Sequence, residues 1–191
     1  MKTALSLTIF TIISIALVSY TKNITQQQIS ENIRANTLEK IHEIISPTQH
    51  DNDILQSKKE KSVFLHDITQ TITIYRATKN NQLVGLIIKH TYPKGYSGNI
   101  LLLTGVDTKQ KILGVRVIEH QETPGLGDRI ETIKSNWIKS FNGLSLKNPK
   151  IWKVKKDGGS FDAFTGATIT PRAIVNANYE LLIKISNNEL K

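Results

Sequence analysis

Between Lys2 and Lys22 lie 19 residues without a charge, TALSLTIFTIISIALVSYT, rich in Ile, Leu, Ala and Val. As a helix this run reaches roughly 28 Å, close to the hydrocarbon thickness of a bilayer, so it is long enough to cross once. Its N-terminal position also admits a cleaved signal peptide. The best pair of small residues for cleavage, Ser14 and Ala16, would cut the apolar run in half, which favours an uncleaved anchor. Lys2 and the amino terminus on one side face Lys22 and Arg34 on the other, so flanking charge gives little direction. An N-in anchor carrying an exported domain is the expected arrangement.

The anchor, residues 1–22, leaves room for one modest domain in a chain of 191 residues. There is no cysteine, which excludes a disulfide framework, a thiolate-held metal or iron-sulfur centre, and a thiol nucleophile. The formal charge is +9, which asks for an acidic partner, an anionic ligand or a membrane surface. The lysines are scattered without an interleaved aromatic platform, so no nucleic-acid function is expected.

From Ile29 the residues Ile33, Leu38, Ile41, Ile44 and Ile45 recur at helical spacing until Pro47, predicting an amphipathic stalk. Residues 48–62 are polar and read as a loop, so residues 23–62 form a helical stalk and polar loop, with a domain over 63–191. Two paired strand signals follow, Thr71 to Ala77 with Leu83 to Lys89, and Ile100 to Val106 with Ile112 to Glu119. They predict two hairpins of one antiparallel sheet. The stretch Leu83-Val84-Gly85-Leu86 with His90, Pro93 and Gly95 is echoed by Ile112-Leu113-Gly114-Val115 with His120, Pro124 and Gly125. Repeat and coincidence both remain open there. A helix is expected over Ile130, Ile133, Trp137, Ile138 and Phe141 with Asp128 as its N-cap, then a short strand from Ile151 to Lys155. A last helix opens at Thr170-Pro171 with Ile174, Ala177, Leu181 and Ile185 on one face. The fold class is α+β.

Residues 157–172 read DGGSFDAFTGATITPR, crowding small and hydroxyl residues between two aromatics and a helix start. Gly166 and Ala167 let a backbone approach a bulky ligand, and a helix N-terminus favours a phosphate. A capped turn with no ligand is the plain alternative, since the lysine of a P-loop is missing. The loop His120 to Gly127 offers His120 and Glu122, but no further ligand cluster joins them, and no metal site is expected.

The heptad Asp162-Ala163-Phe164-Thr165-Gly166-Ala167-Thr168 resembles the flavinylation motif D-x-x-(S/T)-G-A-(T/S) of the FMN-binding domain family, at every fixed position. The chain is also similar to the G subunits of the Rnf (Rsx) ion-translocating electron transport complex, and to the C subunit of the sodium-pumping NADH:quinone oxidoreductase. That similarity rests on the anchor, Gly95-Tyr96-Ser97-Gly98, the stretch GVRVIEHQETPGLGDRI and the stretch KKDGGSFDAFTGATITPRAIV. It implies a covalent FMN joined to Thr168 by a phosphoester, with Asp162, Thr165, Gly166 and Ala167 completing the acceptor motif. A separate Mg-dependent flavin transferase would make the bond, taking FMN from FAD and releasing AMP.

The resemblance further implies that Glu122, Thr123, Gly125 and Leu126 lie against the flavin, with Phe161 and Phe164 as candidates to stack on the ring. Trp152 could also stack, although it is assigned to the core with Trp137 and Phe141. The expected function is an electron-carrying subunit of a membrane-bound complex coupling electron transfer to ion translocation, not catalytic alone. Its partners would be the other Rnf subunits, in the bacterial inner membrane with a single span and a periplasmic domain. The rival reading is an exported, membrane-anchored adaptor without redox chemistry that docks through its basic surface.

Overall fold

A computed structural model describes residues 2–190. Their internal contacts divide the chain into one unit ending at Leu38 and one beginning at Glu39. Helix α1, Lys2–Ile44, makes up the first unit and gives its last residues to the second. With no glycine or proline before Pro47 to interrupt it, the expected anchor and stalk form one continuous helix. Leu5, Ile9, Phe10, Ile13 and Leu17 are exposed along it, and an 18-residue window of mean hydropathy 1.9 is wholly unburied. Thr8, Thr11 and Thr21 turn their hydroxyls back to carbonyls four residues earlier, at 3.0, 2.8 and 3.0 Å. Polar groups so satisfied suit an apolar surrounding.

The second unit is built on a five-stranded antiparallel sheet in the order β1-β2-β3-β4-β5. The strands are β1 (Lys59–Leu65), β2 (Ile68–Lys79), β3 (Gln82–Tyr92), β4 (Ile100–Asp107) and β5 (Ile112–Glu119). Both expected hairpins form. They are β2–β3 and β4–β5; Asn80-Asn81 joins the first with φ of 50° and 61°, and His66-Asp67, with φ of 61° and 62°, joins β1 to β2 in the same way, the backbone whose twist matches flanking strands. Strand β1 corrects the expectation of a loop reaching residue 62. Its first residues, Lys59 to Ser62, are polar and carry no apolar alternation; pairing from Lys59 with Ile74 to Leu65 with Ile68 makes them a strand. Lysines suit such an edge.

Strands β3 and β5 both flank β4 antiparallel, so they run the same way and their following loops leave the sheet at one end. The echo between residues 83–98 and 112–127 thus coincides with two strand-loop units side by side. One sheet face carries Ile72, Ile74, Ile88, Leu102 and Val106 into a core closed by helix α2, Ile169–Ser186, through Ile174, Ala177, Leu181 and Ile185. The other face, with Tyr75, Ala77, Ile87 and Leu103, packs on Ile41, Ile44, Ile45 and Ile54. Arg116 of β5 secures that second layer, donating from Nε to Glu43 Oε2 at 2.6 Å and from Nη2 to the Glu43 carbonyl at 2.9 Å. Burial alone would raise the Glu43 carboxyl, but Arg116 and Lys40 hold it below its ordinary range.

Two further expectations are corrected. The helix over 130–141 is broken into 3-10 turns at Asp128–Ile130 and Trp137–Phe141. Ser135 interrupts it, donating to the Arg129 carbonyl at 2.7 Å and accepting from the Trp137 amide at 3.1 Å, so its side chain competes with helical pairing. Ile133 consequently faces outward, 85% exposed, while Ile130, Ile138 and Phe141 are buried. Asp128 lies inside the first of these turns, after Gly127 as its cap residue. Residues 151–155 form no strand; Val154 makes a single parallel bridge to Phe161.

A buried polar chain fastens α2 to the sheet. Asn178 donates to the Ile174 carbonyl at 2.8 Å, which leaves its oxygen to accept from Thr104 at 2.8 Å. Thr104 therefore accepts from His90 Nε2 at 3.1 Å, and His90 Nδ1 accepts from His66 Nε2 at 3.0 Å. His66 Nδ1 meets Glu180 at 2.6 Å. Burial, with His66 adjacent, pushes His90 well below its ordinary ionisation range. A group depressed in the fold contributes stability above its unfolded pKa, about 6.5, that is lost as pH falls toward the folded value. Denaturant titration of the full chain in detergent should show stability falling between pH 6.5 and 5, by up to about 1.4 kcal/mol per pH unit for this proton. His90→Gln is predicted to flatten that slope, and an equal slope in the variant would assign it elsewhere.

Candidate functional site

The loops after β3 and β5 meet the start of α2 around a cavity of about 230 Å³. It is lined by Tyr96 from the first loop, by Thr123, Leu126 and Gly127 from the second, and by the unbroken run Gly166 to Thr170. Glu122 holds the three pieces together from below. It is 3% exposed, and its carboxyl oxygens accept from Ser97 N at 3.0 Å, Tyr96 N at 3.3 Å and the Thr170 hydroxyl. Gly127 permits this closure, because a Cβ there would stand 2.9 Å from both Glu122 Cβ and Thr170 Oγ1. His120 supports the same loop: its Nδ1 accepts from Glu122 N at 3.0 Å and its Nε2 meets Glu131 at 3.0 Å.

The segment before α2 is shaped by its residue types. Ala167 N donates to the Phe164 carbonyl at 3.2 Å with Gly166 at φ +83°, the position a type II turn reserves for glycine. Phe164 anchors the turn from inside, edge-on to Trp137 at 5.0 Å with Arg129 over its ring. Phe161 stacks on Phe141 at 4.7 Å. Trp137 Nε1 donates to the Asp162 carbonyl at 2.8 Å. Arg172 of α2 grips Asp157 through two hydrogen bonds of 2.7 and 2.9 Å, holding its carboxyl below the usual range.

Helix α2 begins two residues earlier than Thr170-Pro171 suggests. Thr168 is its N-cap residue, yet the Thr168 side chain makes no capping bond; Oγ1 accepts from Lys156 Nζ at 2.9 Å instead. Thr170, the expected cap, is buried with its hydroxyl on Glu122. Thr168 is half-buried and lines the cavity at the positive end of a helix, with its hydroxyl free of the helix backbone and beside an ammonium. An acyl or phosphoryl group delivered there would meet a hydroxyl that a base can turn into a nucleophile.

Of the residues singled out in the sequence, Thr123, Leu126, Gly166, Ala167 and Thr168 line this cavity. Gly125 sits in the adjoining turn at φ +77°. Thr165 is exposed at the head of the motif turn, and Asp162, also exposed, pairs with Lys155 at 2.6 Å. Trp152, Phe161 and Phe164 are buried in the core. Tyr96, Ile169 and Lys156 join the site without a role that the sequence suggests, and Thr170, expected as a cap, joins it as the hydroxyl bonded to Glu122. A tyrosine in the short stretch Gly95-Tyr96-Ser97-Gly98 is the available signal for Tyr96; Lys156 stands among other lysines without one.

The match of residues 95–182 to the FMN-binding domain model spans all three loops of this cavity, which places the second unit in that class of domain. Residues 1–44 match the model of the RnfG N-terminal region. The chain is 44% identical to the G subunit of the ion-translocating oxidoreductase complex of Shewanella amazonensis, over 98% of this chain and 89% of the relative. It is 42% identical to the protein of that name in Vibrio vulnificus, over 92% and 84%, and 42% identical to that of Shewanella piezotolerans, over 93% and 85%. The chain belongs to the family of G subunits of ion-translocating oxidoreductase complexes.

Proposed function

We propose that this chain carries FMN, joined covalently to Thr168, as the electron-carrying subunit of a membrane complex that couples electron transfer to ion translocation. The observation that bears most of the weight is Thr168, whose hydroxyl is unused by its own helix and which lines a cavity between loops of an FMN-binding domain. The residues present suit the group. Leu126, Gly166 and Ala167 give apolar, close walls; Tyr96 is 65% exposed beside them as a surface for a flat ring; the helix start and Lys156 suit a phosphate. Bound flavin would supply the electron transfer itself, while Thr168 keeps the cofactor from being lost.

Asp162 and Thr165 stand at the surface where a separate flavin transferase reads the motif. Residues 1–22 serve as a single inner-membrane anchor, the helix beyond Lys22 as its stalk, and the sheet unit whose first strand opens at Lys59 as the FMN-binding domain, on the periplasmic side. Other subunits of the same complex are the electron partners. Co-expressed with the transferase, full-length protein in detergent is expected to be yellow and, once denatured, to retain one FMN by mass and in-gel fluorescence. In intact spheroplasts, added protease should reach the same domain. Colourless protein would overturn the redox reading in favour of the basic exported adaptor.

A further inference from the structure

We propose that Lys156 is the cation of the acceptor site, orienting the Thr168 hydroxyl while the phosphoester forms and pairing with the phosphodiester afterwards. This rests on the reading of Thr168 as acceptor and adds a residue that reading does not contain. A threonine at a helix N-cap ordinarily turns its hydroxyl toward a first-turn amide. Thr168 accepts from Lys156 Nζ at 2.9 Å instead, which leaves its own hydrogen available to a base.

The backbone that carries Lys156 is fixed to the helix that carries Thr168. Its 3-10 turn, Lys155–Asp157, is closed by Asp157 N to the Val154 carbonyl at 2.8 Å and Gly158 N to the Lys155 carbonyl at 3.0 Å. The Lys155 amide donates to the Phe161 carbonyl at 2.7 Å, and the neighbouring Asp157 is the residue gripped by Arg172 of α2. The pairing of charges distinguishes Lys156 from its neighbours Lys155 and Arg172. Lys155 is paired with Asp162 and Arg172 with Asp157, whereas among the described residues Lys156 makes no ion pair and meets only a neutral hydroxyl.

In the modification step, Thr168 Oγ1 forms a bond to the flavin-side phosphorus of a flavin dinucleotide as the bond from that phosphorus to the bridging oxygen breaks. AMP leaves with that oxygen and its electron pair, the hydroxyl proton passes to a base of the transferase, and nothing is oxidised or reduced. An ammonium beside the entering oxygen stabilises charge that develops there and on the phosphoryl oxygens. The resulting diester keeps one negative charge, next to the unpaired cation.

The test is the initial rate of flavin attachment to full-length apoprotein in detergent, followed by mass, with purified transferase and FAD. Lys156→Met is expected to lower kcat about tenfold, with KM for the apoprotein within about twofold. Lys156→Arg should restore most of the rate, and Lys150→Met, a change at another exposed lysine, should match wild type. A rise in KM alone would make Lys156 a docking charge for the transferase, and that result, or a full rate in Lys156→Met, overturns the proposal. Thermal midpoints are compared first; should Lys156→Met be destabilised, Lys156→Gln is judged by the same split. Thr168→Val separates the two readings. Attachment persisting in it defeats the acceptor assignment; attachment lost there but normal in Lys156→Met defeats the role of Lys156 alone.

Discussion

Thr168→Val is expected to remove flavin attachment altogether while leaving the fold in place. Valine keeps the shape of threonine and replaces only the hydroxyl. That hydroxyl makes no capping bond to its helix, so its loss removes one contact with the Lys156 side chain and no backbone partner. The stability cost should stay under about 1 kcal/mol, within a few degrees of the wild-type thermal midpoint. The loss of attachment, by contrast, is all or none, because carbon cannot take the place of the attacking oxygen. The measurement is the mass of denatured protein after co-expression with the transferase. An unshifted mass with a native midpoint is the expected pair of results. A full mass shift would move the acceptor to another hydroxyl: Thr165 is exposed and reachable, whereas Thr170 is 1% exposed and bonded to Glu122.

The contrast between Thr168 and Thr170 also shows where local sequence stops being informative. The order Thr170-Pro171 carries a strong helix-start signal, since proline suits the first turn and threonine suits the cap. Pro171 does lie in the first turn, but the hydroxyl of Thr170 is claimed by Glu122, 48 positions earlier in the chain, and the helix starts ahead of it. No window around residue 170 contains that partner. Lys156 is illegible for the same reason, its role being defined by a contact across 12 positions. The motif turn is readable because its requirement is local: glycine at a positive φ between a threonine and a small residue.

At the level of the fold, β2 to β5 announce themselves through β-branched runs and turn residues. Strand β1 does not, because Lys59 to Ser62 at the sheet edge need no apolar face. The aromatics show the opposite failure. Phe161 and Phe164 flank a turn rich in small residues and look available to a ring, yet both are inserted beneath it. Their burial shapes the turn that presents Thr168, so they act on the site by packing.

Glu122→Ala should be the most damaging single change near the cavity. The side chain reaches the loop after β3 through Tyr96 N and Ser97 N and reaches α2 through Thr170. Truncation leaves a buried hydroxyl and two amides without their acceptor, and opens a void against Gly127, which packs on this side chain. Unsatisfied donors cost about 1–3 kcal/mol each where water cannot replace the partner. Water can reach part of the opened site, so a net loss of about 3 kcal/mol is expected, roughly 10 °C in thermal midpoint. Glu122→Gln keeps the shape and one oxygen, and should lose about half as much. Glu122 is not assigned to the chemistry, so flavin attachment in Glu122→Ala should fall only as far as the three loops separate, and cooling should recover it. If attachment were abolished in a variant with an unchanged midpoint, Glu122 would have to act on the hydroxyl or the phosphate directly. The geometry opposes that outcome, because its oxygens are already directed at Tyr96, Ser97 and Thr170, beneath the cavity floor.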